Sequence, residues 1–285
     1  MSVETNAGRV DGTGADGRDD GGLSERWRAV KRRVADAARR SGRRPEEILL
    51  VAVTKGATLP QIRRIVELGQ RDLAENRVQQ LLERVDWMRS QGSIRDPDRA
   101  PDPEDAALVR WHMIGTLQRN KIRKAVEHAR LVQSVDNLRL AEDLHTEGGR
   151  RDRPIEVLVQ VNVSGEASKQ GLNPRALGPF LEQVVTMVNL EVRGLMCMAP
   201  YTKDPEEVRP VFERCRELFE EQRPISAMGG GGDRFNILSM GMSNDFEVAI
   251  ECGANLVRVG SAIFDDDFTR DGGADGRTSD EADDR

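Results

Sequence analysis

The chain reads as one (β/α)8 barrel, and three observations predict it. Eight short apolar runs alternate with stretches whose apolar residues recur every three or four positions, the pattern of parallel strands separated by helices. The runs are nearly continuous in apolar character, as strands covered on both sides must be. The segment that holds them, 23–265, is close to the roughly 250 residues typical of such barrels. A doubly wound open sheet is the main competitor, and eight repeats with no obvious edge strand favour closure.

In chain order, the strands are expected at ILLVAV (48–53), DLAEN (72–76), WHMIG (111–115), LVQSV (131–135), IEVLVQVNV (155–163), LEVRGLMCM (190–198), ILSMG (237–241) and NLVRVG (255–260). A helix precedes the first strand, LSERWRAVKRRVADAARRSG, opening on a cap-like Ser24-Glu25 and closing on glycine. Between strands, PQIRRIVELG, RVQQLLERVDWM, DNLRLAEDLHTE, PRALGPFLEQVVTMV and PEEVRPVFERCRELFEEQ have helical periodicity. Residues 1–22 and 266–285 are rich in Gly, Asp and Arg and poor in large apolar residues, so both are expected to be disordered tails. The stretch 91–107, with three prolines among charges, reads as a surface loop insertion.

Composition excludes several classes. A net charge of −6 and 4% aromatic residues give neither a basic field nor a base-stacking platform for nucleic acid. No run approaches the roughly 20 apolar residues that span a bilayer, and the acidic, glycine-rich N-terminus is no secretory signal. Three cysteines without a CxxC pair point to a reduced, cytoplasmic setting. The spacing of His112, His128 and His145 matches no metal motif, so no metal site is expected.

In barrels of this kind, reactive residues sit at the C-terminal ends of strands, and phosphates bind after strands seven and eight. Lys55 closes the first apolar run, where partial desolvation would free its lone pair for a Schiff base with an aldehyde. Glu75-Asn76-Arg77 closes the second strand, Ser239-Met240-Gly241-Met242-Ser243 the seventh and Arg258-Val259-Gly260-Ser261 the eighth. Small residues with free backbone N–H groups at the last two positions are suited to a dianionic phosphate. Alternation puts Arg258 on the face of Leu256 and Gly260, inside the barrel, where a guanidinium needs an acceptor. A pyridine nitrogen would serve, and so would a strand-end carboxylate. An amine facing a phosphate site suggests a phosphorylated aldehyde, pyridoxal 5'-phosphate (PLP). A sugar-phosphate barrel enzyme using Lys55 as an aldolase does is the reading outside PLP chemistry.

The segments VAVTKGATLPQIRRI, LAENRVQQLLE, WHMIGTLQRNKIRKAV, RGLMCMAP and LSMGMSNDFEVAIECGANLVRVGSAIF resemble the PLP homeostasis protein family, single-domain relatives of the barrel domain of alanine racemases. The resemblance covers nearly all of 25–265. It implies that Lys55 binds PLP covalently, that Ser239, Gly241, Gly260 and Ser261 hold the phosphate, that Arg258 faces the pyridine nitrogen, that Asn76 and Met196 line the pocket, and that Met240 belongs to the cofactor-binding set. Family members commonly read GENR and SAIFG, whereas here Ala74 precedes Glu75 and Asp265 follows Phe264. The function implied is a PLP carrier in intracellular PLP homeostasis, handing the cofactor to apo PLP-dependent enzymes. An arginine at the ring nitrogen weakens the ring as an electron sink, which speaks against demanding carbanion chemistry. A low-activity amino-acid racemase is the alternative, with Tyr201, Cys197 or His112 as its second base. No second, β-rich domain is expected after strand eight, which favours a monomer.

Overall fold

The strands close into a ring because the eighth lies beside the first. The computed structural model describes Asp20 and residues 22–90, 109–166, 169–226 and 234–268. The parallel strands, ordered β1 to β8 around a closed barrel, are β1 (Leu49–Val53), β2 (Asp72–Glu75), β3 (Arg110–Met113), β4 (Ala129–Val135), β5 (Ile155–Gln160), β6 (Leu190–Met196), β7 (Ile237–Ser239) and β8 (Leu256–Val259). Leu49 lies opposite Leu256 and Val51 opposite Arg258 at the closing seam. The open-sheet alternative is thereby excluded.

Strand alternation divides the core in two. Val51, Val53, Ala74, Leu131, Leu158, Met196 and Leu256 form a buried cluster inside the barrel. Ala52, Leu73, Val132, Val157, Leu195, Leu238 and Val257 belong to the larger cluster beneath the helices. Most strands are therefore apolar on both faces, and this is why the runs stand out in the sequence.

The helices are α1 (Leu23–Arg40), α2 (Leu59–Glu67), α3 (Val78–Ser90), α4 (Ile122–Val126), α5 (Leu138–Arg150), α6 (Leu177–Val184), α7 (Arg209–Ser226), α8 (Phe246–Glu251) and α9 (Ser261–Phe264). In α1, Leu23, Trp27, Val30, Val34, Ala37 and Ala38 form one buried stripe, and Arg33 grips Glu247 of α8 at 2.9 and 3.2 Å. Its start differs from the expected one. Gly22 is the N-cap, at φ 76°, and Ser24 lies inside the helix with its hydroxyl bonded to Asp20. The stretch 91–107 and most of the two terminal segments fall outside the described residues. The described chain runs beyond the expected boundary at 265, to Phe268, which packs on the core. Among the described residues no helix is long and apolar enough to cross a membrane.

Candidate functional site

Parallel pairing brings all the strand C-termini to one mouth, so residues far apart in sequence converge there. The first strand ends where its run was expected to end, two residues short of Lys55. β1 ends at Val53, and Thr54 to Ala57 form a turn closed by the Ala57 amide on the Thr54 carbonyl (2.9 Å). Lys55 is therefore exposed in a turn, without the partial desolvation expected of a strand residue. It follows two residues after Val53, the last inward residue of β1. Immediately downstream, Thr58 caps α2: its hydroxyl accepts from the Gln61 amide, and the Gln61 side chain accepts from the Thr58 amide at 2.8 Å.

A buried ion pair fastens this turn from behind. Glu75, fully buried at the end of β2, accepts from the Thr54 hydroxyl and from Arg84 Nη1, while Arg84 Nη2 donates to the Ala57 carbonyl at 3.2 Å. Both flanks of the lysine turn are thus tied to one carboxylate–guanidinium pair. Burial pushes the Glu75 carboxyl above its ordinary value, against the pull of Thr54 and Arg84. Beside it, Asn76 Oδ1 is buried with no hydrogen-bond partner.

Across the mouth, the β7 and β8 ends interlock. The Arg258 amide donates to the Gly241 carbonyl at 3.0 Å, and Met242 N–H donates to Asp245 Oδ1 at 2.6 Å. Gly241 adopts φ 93°, and a Cβ there would stand 2.6 Å from Ala249 Cβ and 2.8 Å from Phe246 Cα. Only glycine fits this crossing. Ser243 Oγ accepts from two backbone amides, Gly260 and Ala262, both at 3.2 Å. An acceptor oxygen thus already sits against a pair of N–H donors. A Cβ on Gly260 would meet the Val53 carbonyl at 3.1 Å, so the β8 end lies directly beside the β1 end that leads to Lys55.

Several sequence-derived residues lie elsewhere than expected. Ser239 is fully buried inside the barrel, its hydroxyl held between Arg258 and Gln133. Met240 packs in the outer core beneath the helices, and its amide is taken by the Leu256 carbonyl at 3.1 Å. Neither presents a free donor to the mouth. Ser243, four residues beyond Ser239, is the hydroxyl at the β7–β8 junction. Met196 is on the inner face, and Gly260 and Ser261 follow the last residue of β8. Arg258 faces inward, 3% exposed. Its Nη1 donates to Ser239 at 2.5 Å and its Nη2 to the Cys197 carbonyl at 2.9 Å. Burial lowers its pKa from the ordinary arginine value. Its acceptors are thus a hydroxyl and a carbonyl, not strand-end carboxylates.

The three side chains considered as a second base are otherwise engaged or remote. Tyr201 is 62% exposed in the loop after β6, Cys197 is fully buried, and His112 is hydrogen-bonded through both ring nitrogens deep in the barrel. Two clefts outside the mouth carry no convergent chemistry. One of about 400 Å³ between α4 and α5 holds Arg119 and Arg150, paired with Asp143 and Glu147. The other, about 560 Å³, lies at the opposite end of the barrel around Leu49, Asn236 and Asn255.

The donor set fits PLP: a primary amine, a serine–amide junction between two strand ends, a glycine where a Cβ would crowd the neighbouring strand, a buried guanidinium and an orphaned amide oxygen. Known proteins point the same way. Residues 27–267 match the family described as alanine racemase, N-terminal domain. The chain is 35% identical over 241 residues to the pyridoxal phosphate homeostasis protein of Aquifex aeolicus, covering 84% of this chain and 96% of that one. It is 36% identical over 242 residues to the protein of the same name from Pseudomonas aeruginosa, covering 85% and 94%. The solved structure of PipY from Synechococcus elongatus with PLP bound matches with a TM-score of 0.68 at 30% identity, covering 85% of this chain and 99% of that one. The chain belongs to the alanine racemase N-terminal domain family and to the pyridoxal phosphate homeostasis proteins.

Proposed function

We propose that this protein binds PLP covalently through Lys55 and serves as an intracellular carrier of the cofactor. The observation that carries the reading is the meeting of strand ends: Val53, two residues before Lys55, lies against Gly260, whose amide donates to Ser243. When bound, PLP supplies an aldehyde that condenses reversibly with an amine. Gly241, Ser243, Gly260 and Ser261 would hold the phosphate, with Ser243 taking the role first given to Ser239. Arg258 would face the pyridine nitrogen, and Asn76 and Met196 would line the pocket. Ser239 and Met240 support these groups from below and behind.

The reading extends to a cytoplasmic monomer that delivers PLP to apo enzymes. Lys55 supports release, because an exposed amine in a turn is open to exchange with an incoming one. Adding PLP to the purified protein should produce a visible absorption band. Borohydride reduction followed by peptide mapping should place the adduct on Lys55, and Lys55→Ala should lack both. A colourless wild-type protein, or an adduct spread over surface lysines, would overturn the reading.

A further inference from the structure

Barrel interiors are ordinarily filled with apolar layers. Here one level is crossed by a continuous polar chain. Arg258 Nη1 donates to Ser239 Oγ at 2.5 Å, and Ser239 Oγ donates to Gln133 Oε1 at 2.7 Å. Gln133 Nε2 lies 3.0 Å from His112 Nδ1, and His112 Nε2 lies 3.1 Å from Asp72 Oδ1. Arg110 closes the chain on Asp72 with two contacts at 2.9 and 2.5 Å. The five residues from Arg258 to Asp72 are each at most 4% exposed and come from β8, β7, β4, β3 and β2.

Donor chemistry leaves this chain a single polarity. A guanidinium only donates, so the Ser239 oxygen accepts, and its one proton is left for Gln133 Oε1. That fixes the amide with its NH2 towards His112, whose Nδ1 must accept. The ring proton then sits on Nε2 and is donated to Asp72, which Arg110 holds as a carboxylate. Burial raises the Asp72 carboxyl, but the hydrogen bonds from Arg110 and His112 overcome it, and the net shift is downward. Such a fully satisfied buried network adds little net stability, and apolar residues of equal volume would pack as well. What it adds is a fixed geometry. With Nη1 tied to the chain and Nη2 to Cys197, the Arg258 guanidinium is held at two points.

We infer that Gln133 and His112, acting through Ser239, are positioning residues that fix the orientation in which Arg258 meets the cofactor ring. The inference rests on the PLP reading above. It also separates two roles for Ser239: a link in this chain, or a direct phosphate ligand.

The test is a double-mutant cycle on the PLP-loaded protein, pairing Gln133→Met and Ser239→Ala each with Arg258→Gln. Readouts are the dissociation constant for PLP and the nitrogen-15 shift of ring-labelled PLP, with apo-protein melting run alongside. Each single change should weaken PLP binding roughly tenfold, the loss of one buried hydrogen-bond link, and move the ring-nitrogen signal. In the Arg258→Gln background, neither should have any further effect. Losses that simply add in both backgrounds, or a ring-nitrogen signal that stays in place, overturn the inference. Should Gln133→Met fail to fold, Ser239→Ala decides alone, because it removes only one oxygen. A wild-type protein that gains no PLP band overturns both the PLP reading and the inference. A normal wild-type band with additive losses overturns the inference alone.

Discussion

Replacing Glu75 with alanine tests whether the ion pair behind the Lys55 turn is what holds that turn. The substitution leaves Arg84, itself buried, with its Nη2 on the Ala57 carbonyl and no carboxylate to offset its charge. An uncompensated buried charge costs about 3–5 kcal/mol, a large fraction of the roughly 5–15 kcal/mol that holds a typical domain together. Glu75→Gln also removes the charge but keeps an acceptor for Thr54 and Arg84, so it should cost about 1 kcal/mol less than Glu75→Ala. Urea unfolding followed by circular dichroism gives both values. Amide exchange at Ala57, whose N–H closes the turn on Thr54, should speed up in Glu75→Ala and change little in Glu75→Gln. The pH dependence has a definite sign. The native carboxyl lies above its ordinary 4.5, so its contribution is complete below 4.5 and is lost as pH rises through the native value. Glu75→Gln should remove that slope. An alanine variant that loses less than about 1 kcal/mol, with Ala57 exchange unchanged, would refute the clamp.

Gly241→Ala should lose about 2–4 kcal/mol, from a left-handed backbone and a Cβ 2.6 Å from Ala249, read as a fall in Tm of roughly 5–15 °C. Asp72 has the opposite linkage to Glu75. Its native pKa is below the ordinary 3.8, so its contribution is present above 3.8 and lost as pH falls through the native value. Asp72→Asn should therefore flatten the acid limb of the stability curve, measured by urea titrations at stepped pH. All three thiols are buried, and burial pushes Cys252 up to about 11. A thiol reagent at pH 8 should react with none in the native protein and with all three after unfolding.

How much of this was legible in the sequence depends on the range of the signal. Every strand is found within a few residues of its expected place, because double-sided burial writes an apolar run into each. Most of the runs overshoot at their C-terminal ends. Lys55, Asn76 and Gly241 all lie just past the last ladder residue, where the chain turns to form the mouth. Periodicity gives the face of a residue but not its depth, and the two serines of SMGMS differ in just this respect. Ser239 is on the inner face and was legible as such, yet it is fully buried, with its hydroxyl between Arg258 and Gln133. Ser243 lies beyond the strand, where the two-residue rule no longer applies, and only the fold brings it to the Gly260 and Ala262 amides.

The polar chain left no local trace. Its links join residues 19, 106, 21 and 40 positions apart, and each alone reads as an ordinary interruption of an apolar strand. There is nevertheless a sequence signal of a weaker kind. In strands otherwise built from Val, Leu and Met, inward positions at Ser239, Gln133, His112 and Arg258 violate the apolar pattern on four different strands. A single violation costs stability unless it finds a partner, and four at one level of a closed barrel can satisfy one another. Read together, such mismatches point to a function placed above them. Ser239 ends β7 and Arg258 lies one residue from the end of β8, so the chain reaches the C-terminal side of the barrel at these two members.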